Sequence, residues 1–127
     1  MEFTQGLKYD KAGLIVGVIQ DYNNNQVLMV GYFNKEAISQ TLEQKKVTFF
    51  SRSKKRLWLK GEKSGHIQLV KQVYFDCDKD ALLIKVEQKV AACHQGYRSC
   101  FYSQWDQDQV KIIENKEFEP DQIYSEI

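Results

Sequence analysis

Three cysteines, two histidines and a run of alternating aspartates are the groups in this 127-residue chain best suited to chemistry. The run is Asp76-Cys77-Asp78-Lys79-Asp80. In an extended chain alternate side chains share a face, so Asp76, Asp78 and Asp80 would converge while Cys77 points away. Three carboxylates on one side repel each other unless a cation lies among them. A hard divalent ion such as Mg²⁺ takes oxygen ligands of this kind. A plain polar loop between two strands is the competing reading. An EF-hand is excluded, although Glu87 stands at the twelfth position of such a loop. Its sixth position, where the chain must turn sharply on Gly, is Ala81, and Leu82, Ile84 and Val86 alternate as in a strand.

The second constellation is Ala92-Cys93-His94-Gln95-Gly96-Tyr97-Arg98-Ser99-Cys100. Its two cysteines are too far apart for a short zinc knuckle or a thioredoxin-like redox motif. With Cys77 as a third thiol, the set matches an open zinc site: three protein ligands and one position left for water. Such a site lowers the pKa of its bound water to roughly 7. His94, next to the first thiol, would then be a candidate proton carrier. A histidine satisfied within the fold, and thiols packed as small hydrophobes, are the plainer alternatives.

The third stretch runs from Ser51-Arg52-Ser53-Lys54 through Trp58 and Lys60 to Ser64-Gly65-His66. Cations, hydroxyls and glycines are the residue types that bind phosphate, and Trp58 could stack on a base. A solvated basic hairpin is the alternative.

These groups need elements to position them. Residues 14–20 and 26–32 read as strands joined by a turn-forming Asp21–Asn25 segment. Asn34 is a helix N-cap for an amphipathic helix over 35–45, with Ala37, Ile38, Leu42 and Lys45 at helical spacing. Strands are expected over 47–51, 57–60, 67–75 and 81–88, and a further one over 100–105. The acid-leaning stretch from Asp106 reads as a solvated edge or tail. The sum is one domain over residues 1–127 of the α+β class, dominated by antiparallel sheet with one or two helices.

Composition narrows the partners. Eighteen Lys+Arg balance seventeen Asp+Glu, so no global charge attracts a polyanion, and nucleic acid is not an expected partner. No apolar run is long enough to cross a bilayer, so no membrane is expected. The Met1–Gly6 start carries no export pattern, and three thiols without one point to the reducing cytoplasm.

Four linked blocks carry a resemblance: Val27-Leu28-Met29 with Tyr32 and Asn34; Ser51-Arg52-Ser53 through Trp58 to Ser64-Gly65-His66; Asp76-Cys77-Asp78 with Asp80; and Ala92-Cys93-His94 with Gly96-Tyr97-Arg98-Ser99-Cys100-Phe101. In this order, from Val27 to Tyr102, they resemble the phosphoribosyl-AMP cyclohydrolases of histidine biosynthesis, in their single-function form. The resemblance implies hydrolytic opening of the adenine ring between N1 and C6. It implies an intertwined homodimer whose zinc is held by Cys93 and Cys100 of one chain and Cys77 of the other, with Asp76, Asp78 and Asp80 as Mg²⁺ ligands. Purine C6 is an electrophilic amidine carbon that hydroxide at a zinc centre can attack, as in nucleobase deaminases. N1 must then gain a proton, from His94 as first candidate and His66 as second. The substrate would meet Arg52, Ser53, Lys54, Trp58, Lys60, Ser64, Gly65, Arg98 and Ser99, with its two phosphates on the cationic stretch around Arg52 to Lys63 and Trp58 against the base.

Two departures accompany the resemblance. Many relatives carry Thr at the position of Gln95 and a glycine pair at Val90-Ala91, so this chain's approach to Cys93 is stiffer. Two other classes compete with the enzyme. One is a structural zinc module closed by His94 or His66, with the basic loop reading phosphate or nucleic acid. The other is a thiol redox protein pairing Cys93 with Cys100.

Overall fold

The computed structural model describes residues 2–124. Its centre is a four-stranded sheet in the order β2-β1-β6-β5. These strands are β1 Ile15–Asp21, β2 Val27–Phe33, β5 Gln68–Phe75 and β6 Ala81–Gln88. Between them in the chain lie α2 Lys35–Gln44 and a separate antiparallel pair, β3 Thr48–Ser51 and β4 Arg56–Leu59. A second pair, β7 Ser103–Asp106 and β8 Gln109–Ile112, follows the thiol loop. Two single-turn helices, α1 Glu2–Gln5 and α3 Asp121–Tyr124, lie near the ends.

The architecture is α+β and antiparallel-rich, as expected, with one feature periodicity could not show. β1 and β6 pair in parallel, joining the β1–β2 and β5–β6 hairpins into one sheet. Both central strands alternate buried and half-buried residues along their whole length. This is the period-2 signature of a sheet with one face on the core. Ile15 and Ile19 from β1 meet Leu82, Ile84 and Val86 from β6 there.

α2 begins where Asn34 accepts a hydrogen bond from the Ala37 N–H at 2.8 Å, the N-cap geometry read from the sequence. Its last residue is Gln44, one before the expected end, and Lys45 caps it in the left-handed region. Ala37 and Ile38 seat it on the core, and its Thr41 hydroxyl accepts from the Thr48 N–H at 2.9 Å, tying the helix to β3.

An aromatic series then leads from core to surface. Phe33 meets Phe49 at 5.0 Å between ring centroids, and Phe49 meets Trp58 at 5.5 Å. The core thereby fixes the inner side of Trp58 on β4.

Two expectations need correction. The 100–105 strand is β7, which starts only at Ser103, because Ser99 and Cys100 are committed to the loop before it. The stretch after Asp106, read as a solvated edge or tail, is solvated as expected but is in part an ordered edge strand. It supplies β8, whose pairing with β7 places Trp105, Val110 and Ile112 on one face and Gln104, Asp106, Gln109 and Lys111 on the other. The acidic composition hid that alternation.

Candidate active site

The thiol loop is built onto the core by its neighbours. Ala92 is buried in the core, and the next residue, Cys93, is buried with it. The loop folds back on itself: Cys93 N–H donates to Tyr97 O and Gly96 N–H to Cys93 O, each at 3.1 Å. Gly96 lies at φ 105, and a Cβ there would approach Phe118 O to within 2.5 Å, so only glycine fits.

The other end of the loop lies across β2. Ser99 Oγ donates to Val27 O at 2.7 Å, and Cys100 N–H donates to Leu28 O at 2.7 Å. Together these bonds bring Cys93 and Cys100 close enough for each thiol to feel the other's charge. Burial, and the neighbouring thiol, push Cys100 up to about 12. Without a cation Cys100 therefore holds its proton.

Lys60 stands beside the pair. It is 6% exposed, and its Nζ donates to Ala92 O at 2.6 Å. Burial pulls its pKa below the usual lysine value, and the charges of Cys100 and Cys93 oppose that pull. Gly61, at φ 87, follows it; a Cβ there would lie 2.7 Å from the backbone of His66 and Ile67. The bare glycine lets the 61–66 turn close over the lysine.

In front of this lies a cleft of about 510 Å³ lined by Lys54, Arg56, Trp58, Lys60, Gly61, Glu62, Lys63, Ser64 and His94. His94 is exposed at its rim, 3.2 Å from the Gln95 amide nitrogen. His66 is buried, edge-on to Phe118 at 4.7 Å, and does not line the cleft. Burial, and then the Lys60 charge, hold its pKa below 6.5. Of the two candidate histidines, only His94 borders the space a ligand would fill.

The remaining predicted ligand contacts divide four ways. Lys54, Trp58, Lys60 and Ser64 border the cleft. Arg52 and Ser53 border a second depression on the other side of Trp58, where Arg52 lies 3.9 Å over the Tyr32 ring. Gly65 is exposed in the turn behind Ser64, at φ 80.

Arg98 and Ser99 are occupied elsewhere. Arg98 pairs with buried Asp21 at 2.6 Å and donates to Gln88 O and Val90 O. Ser99 is 1% exposed and bonded to β2. Both act as anchors of the thiol loop. Arg56 and Lys63 border the cleft without having been singled out, although both lie within the basic stretch. Their only sequence signal was their charge.

The acidic run forms a turn between β5 and β6, as the loop reading has it, and not the extended segment from which the carboxylates' convergence was expected. Asp76 Oδ1 accepts from the N–H groups of Asp80 at 3.0 Å and Ala81 at 3.2 Å, and Lys79 turns through φ 62. The three carboxylates still converge, with oxygens within 4.8 Å of one another, but they do so by winding. Asp80 is raised by its shared hydrogen bond with Asp76 and by the like charges of Asp76 and Asp78. A hard cation is the group this donor set fits.

Cys77 is exposed in the same turn. Among the described residues, the aspartates form the one trio of possible ligands gathered this closely, so Cys77 does not join Cys93 and Cys100 within one chain. The two gathered thiols fit a soft or borderline metal and leave its coordination incomplete.

A family model described as phosphoribosyl-AMP cyclohydrolase matches residues 29–102, which hold the cleft, the turn and the thiol loop. The chain belongs to this family. A phosphoribosyl-AMP cyclohydrolase of Pelotomaculum thermopropionicum is 49% identical over 119 residues, covering 93% of this chain and 92% of that protein. One of Methanothermobacter thermautotrophicus is 51% identical over 115 residues, covering 89% and 83%. A histidine biosynthesis bifunctional protein, HisIE, of Thermoanaerobacter pseudethanolicus is 50% identical over 118 residues; the match covers 93% of this chain but 55% of that one. The match therefore falls within about half of the bifunctional protein. Among the described residues no helix is long and apolar enough to cross a membrane.

Proposed function

We propose that this chain hydrolyses phosphoribosyl-AMP, adding water at C6 of the adenine ring and breaking the C6–N1 bond. The observation that carries the reading is the Cys93–Cys100 thiol pair, set against a cationic cleft bordered by Trp58 and His94. The reaction needs a nucleophile at neutral pH, a proton for N1 and a hold on two phosphates. Cys93 and Cys100 would hold zinc with Cys77 of a second chain, and zinc in such a site acidifies water enough to supply the nucleophile. Lys54, Arg56 and Lys63 are exposed cations for the phosphates, and Trp58 offers an aromatic face to the base. His94 gives N1 its proton as C6 becomes a carboxamide carbon. Mg²⁺ at Asp76, Asp78 and Asp80 would neutralise the turn and add a cation for phosphate.

A homodimer supplies the missing thiol. The bare apolar face of the β7–β8 hairpin supports it: Trp105 is 74% and Val110 68% exposed, beginning a few residues after Cys100. A two-stranded hairpin with an uncovered apolar face is marginal alone. The closed four-ligand module draws no support, because His66 faces Phe118 and His94 the cleft. Unpaired thiols suit the reducing cytoplasm, where such an enzyme would work.

The test is hydrolysis of phosphoribosyl-AMP by metal-loaded protein beside a chelated sample. Turnover lost on chelation and restored by zinc and magnesium supports the reading; folded, loaded protein without turnover overturns it. Cys77→Ser and Cys93→Ser chains, each inactive, should recover a fraction of the activity when mixed, because each heterodimer carries one intact site. No recovery after verified exchange would sink the shared site.

A further inference from the structure

Lys60 was expected to meet substrate, yet its ammonium faces inward. It is 6% exposed, donates to Ala92 O at 2.6 Å and lies 5.4 Å from the centre of the Trp58 ring. Among the described residues it forms no ion pair with a carboxylate. A buried ammonium is costly unless a negative charge compensates it. Its bond to Ala92 O places the ammonium next to Cys93, and the thiols of Cys93 and Cys100 are the groups that can supply that charge.

The compensation works in both directions. Three thiolates around a divalent zinc ion leave one net negative charge, in a place where burial already disfavours anions. One fixed ammonium cancels it. The same ammonium grips the carbonyl that precedes Cys93, so charge and loop position are set by one side chain.

We propose that Lys60 is a positioning residue of the metal site: its buried charge offsets the excess negative charge of the thiolates, and its bond to Ala92 O holds Cys93 in place to bind zinc. This rests on the reading that Cys93 and Cys100 hold zinc. It assigns to Lys60 metal retention, in place of the substrate binding that its position in the basic stretch suggested. Outer-shell partners of this kind typically alter metal affinity by about 10- to 100-fold.

The test compares wild type with Lys60→Met and Lys60→Gln. Met keeps the length and removes both charge and hydrogen bond. Gln removes the charge and keeps a donor that can reach toward Ala92 O. Zinc affinity is measured by competition with a chromophoric chelator, and the thermal midpoint is measured on the metal-free protein. Both variants should bind zinc about 10- to 100-fold more weakly, and Gln should not restore wild-type affinity. Their metal-free midpoints should not fall, because replacing an uncompensated buried charge by a neutral chain is neutral or stabilising.

Wild-type zinc affinity in either variant would overturn the proposal. So would a lower metal-free midpoint in both, which would make Lys60 a folding element. Should Met fail to fold, Gln alone decides on the same two readouts. Wild type that binds no zinc in the same titration overturns the metal reading itself, a different result from variants that match a zinc-binding wild type.

Discussion

In the acidic turn at 76–80, the bonds that shape the carboxylates are local, and one distant bond, from the Lys8 N–H to Lys79 O at 2.7 Å, reaches the backbone. Asp76 accepts from the N–H groups of Asp80 and Ala81, and its own backbone carbonyl accepts from Lys79. In the thiol loop at 90–100, the bonds come from across the chain. Arg98 reaches Asp21 on β1, Ser99 and Cys100 reach β2, Lys60 comes from the end of β4, and Glu114 accepts from the Ser99 N–H at 3.2 Å. Both regions gather donors suited to a cation. One is shaped mainly by bonds within six residues and the other needs the finished fold. Damage to distant contacts should therefore reach the thiols and leave the aspartates alone.

The sharpest way to break that comparison is at Arg98. Arg98→Met leaves Asp21 buried, 2% exposed at its side chain and without its ion-pair partner. Removing one member of a buried pair costs about 3 kcal/mol. Urea denaturation should show that loss, and zinc should bind more weakly because the loop has lost its brace. A loss below about 1 kcal/mol would mean the loop does not depend on β1.

The same pair predicts a response to acid. Burial pushes Asp21 up, but the Arg98 hydrogen bond and charge and the N–H groups of Asn23 and Asn24 outweigh it, holding its pKa below 3.8. A carboxyl depressed on folding stabilises fully above its unfolded value and loses that contribution as pH falls through its folded one. Below pH 3.8 the wild type should lose stability more steeply than the variant.

The acidic turn should answer differently. Asp78 is exposed, and among the described residues its side chain makes no hydrogen bond. Asp78→Asn removes one ligand charge and one like-charge repulsion. The urea midpoint should stay within about 0.5 kcal/mol of wild type. The magnesium needed for half-maximal turnover should rise by about tenfold. An unchanged magnesium requirement would remove Asp78 from the metal reading; a lost fold would mean the turn is not local after all.

This contrast also explains what the sequence could reveal. Strand alternation, the Asn34 cap and the convergence of three aspartates are local, and each was legible at or near its observed place. The aspartates converge by a turn where extension was expected, because Asp76 carboxylate bonds to backbone N–H groups outweigh the extended form. The inward face of Lys60 and the bracing roles of Arg98 and Ser99 were not legible. A basic residue in a basic stretch reads as a surface cation, and only the packing of Ala92 and Asp21 shows that these are not. The parallel β1–β6 pair was hidden for the same reason: its strands are sixty residues apart in the chain.

The smallest effect separates two neighbouring residues. Val90 and Ala91 stand where the family resemblance leads us to expect a glycine pair, and the structure gives them different needs. Val90 lies at φ 54, a left-handed conformation that a β-branched residue rarely adopts. Such strain costs about 1–2 kcal/mol, and the Arg98 bond to Val90 O at 3.0 Å helps hold it. The Val90 side chain is half exposed, so its removal loses little packing. Val90→Gly relieves the strain but frees the unfolded chain, a loss of about 0.5–1 kcal/mol, for a net gain of about 0.5 kcal/mol. Ala91 is buried and has no such strain among the described residues. Ala91→Gly should therefore destabilise by about 1 kcal/mol. Urea midpoints of the two variants, measured side by side, should move in opposite directions. If both fall, the strain at Val90 is already offset by the loop's tertiary bonds. If both rise, the whole approach to Cys93 is strained, and the bracing from Arg98 is holding more than one residue in place.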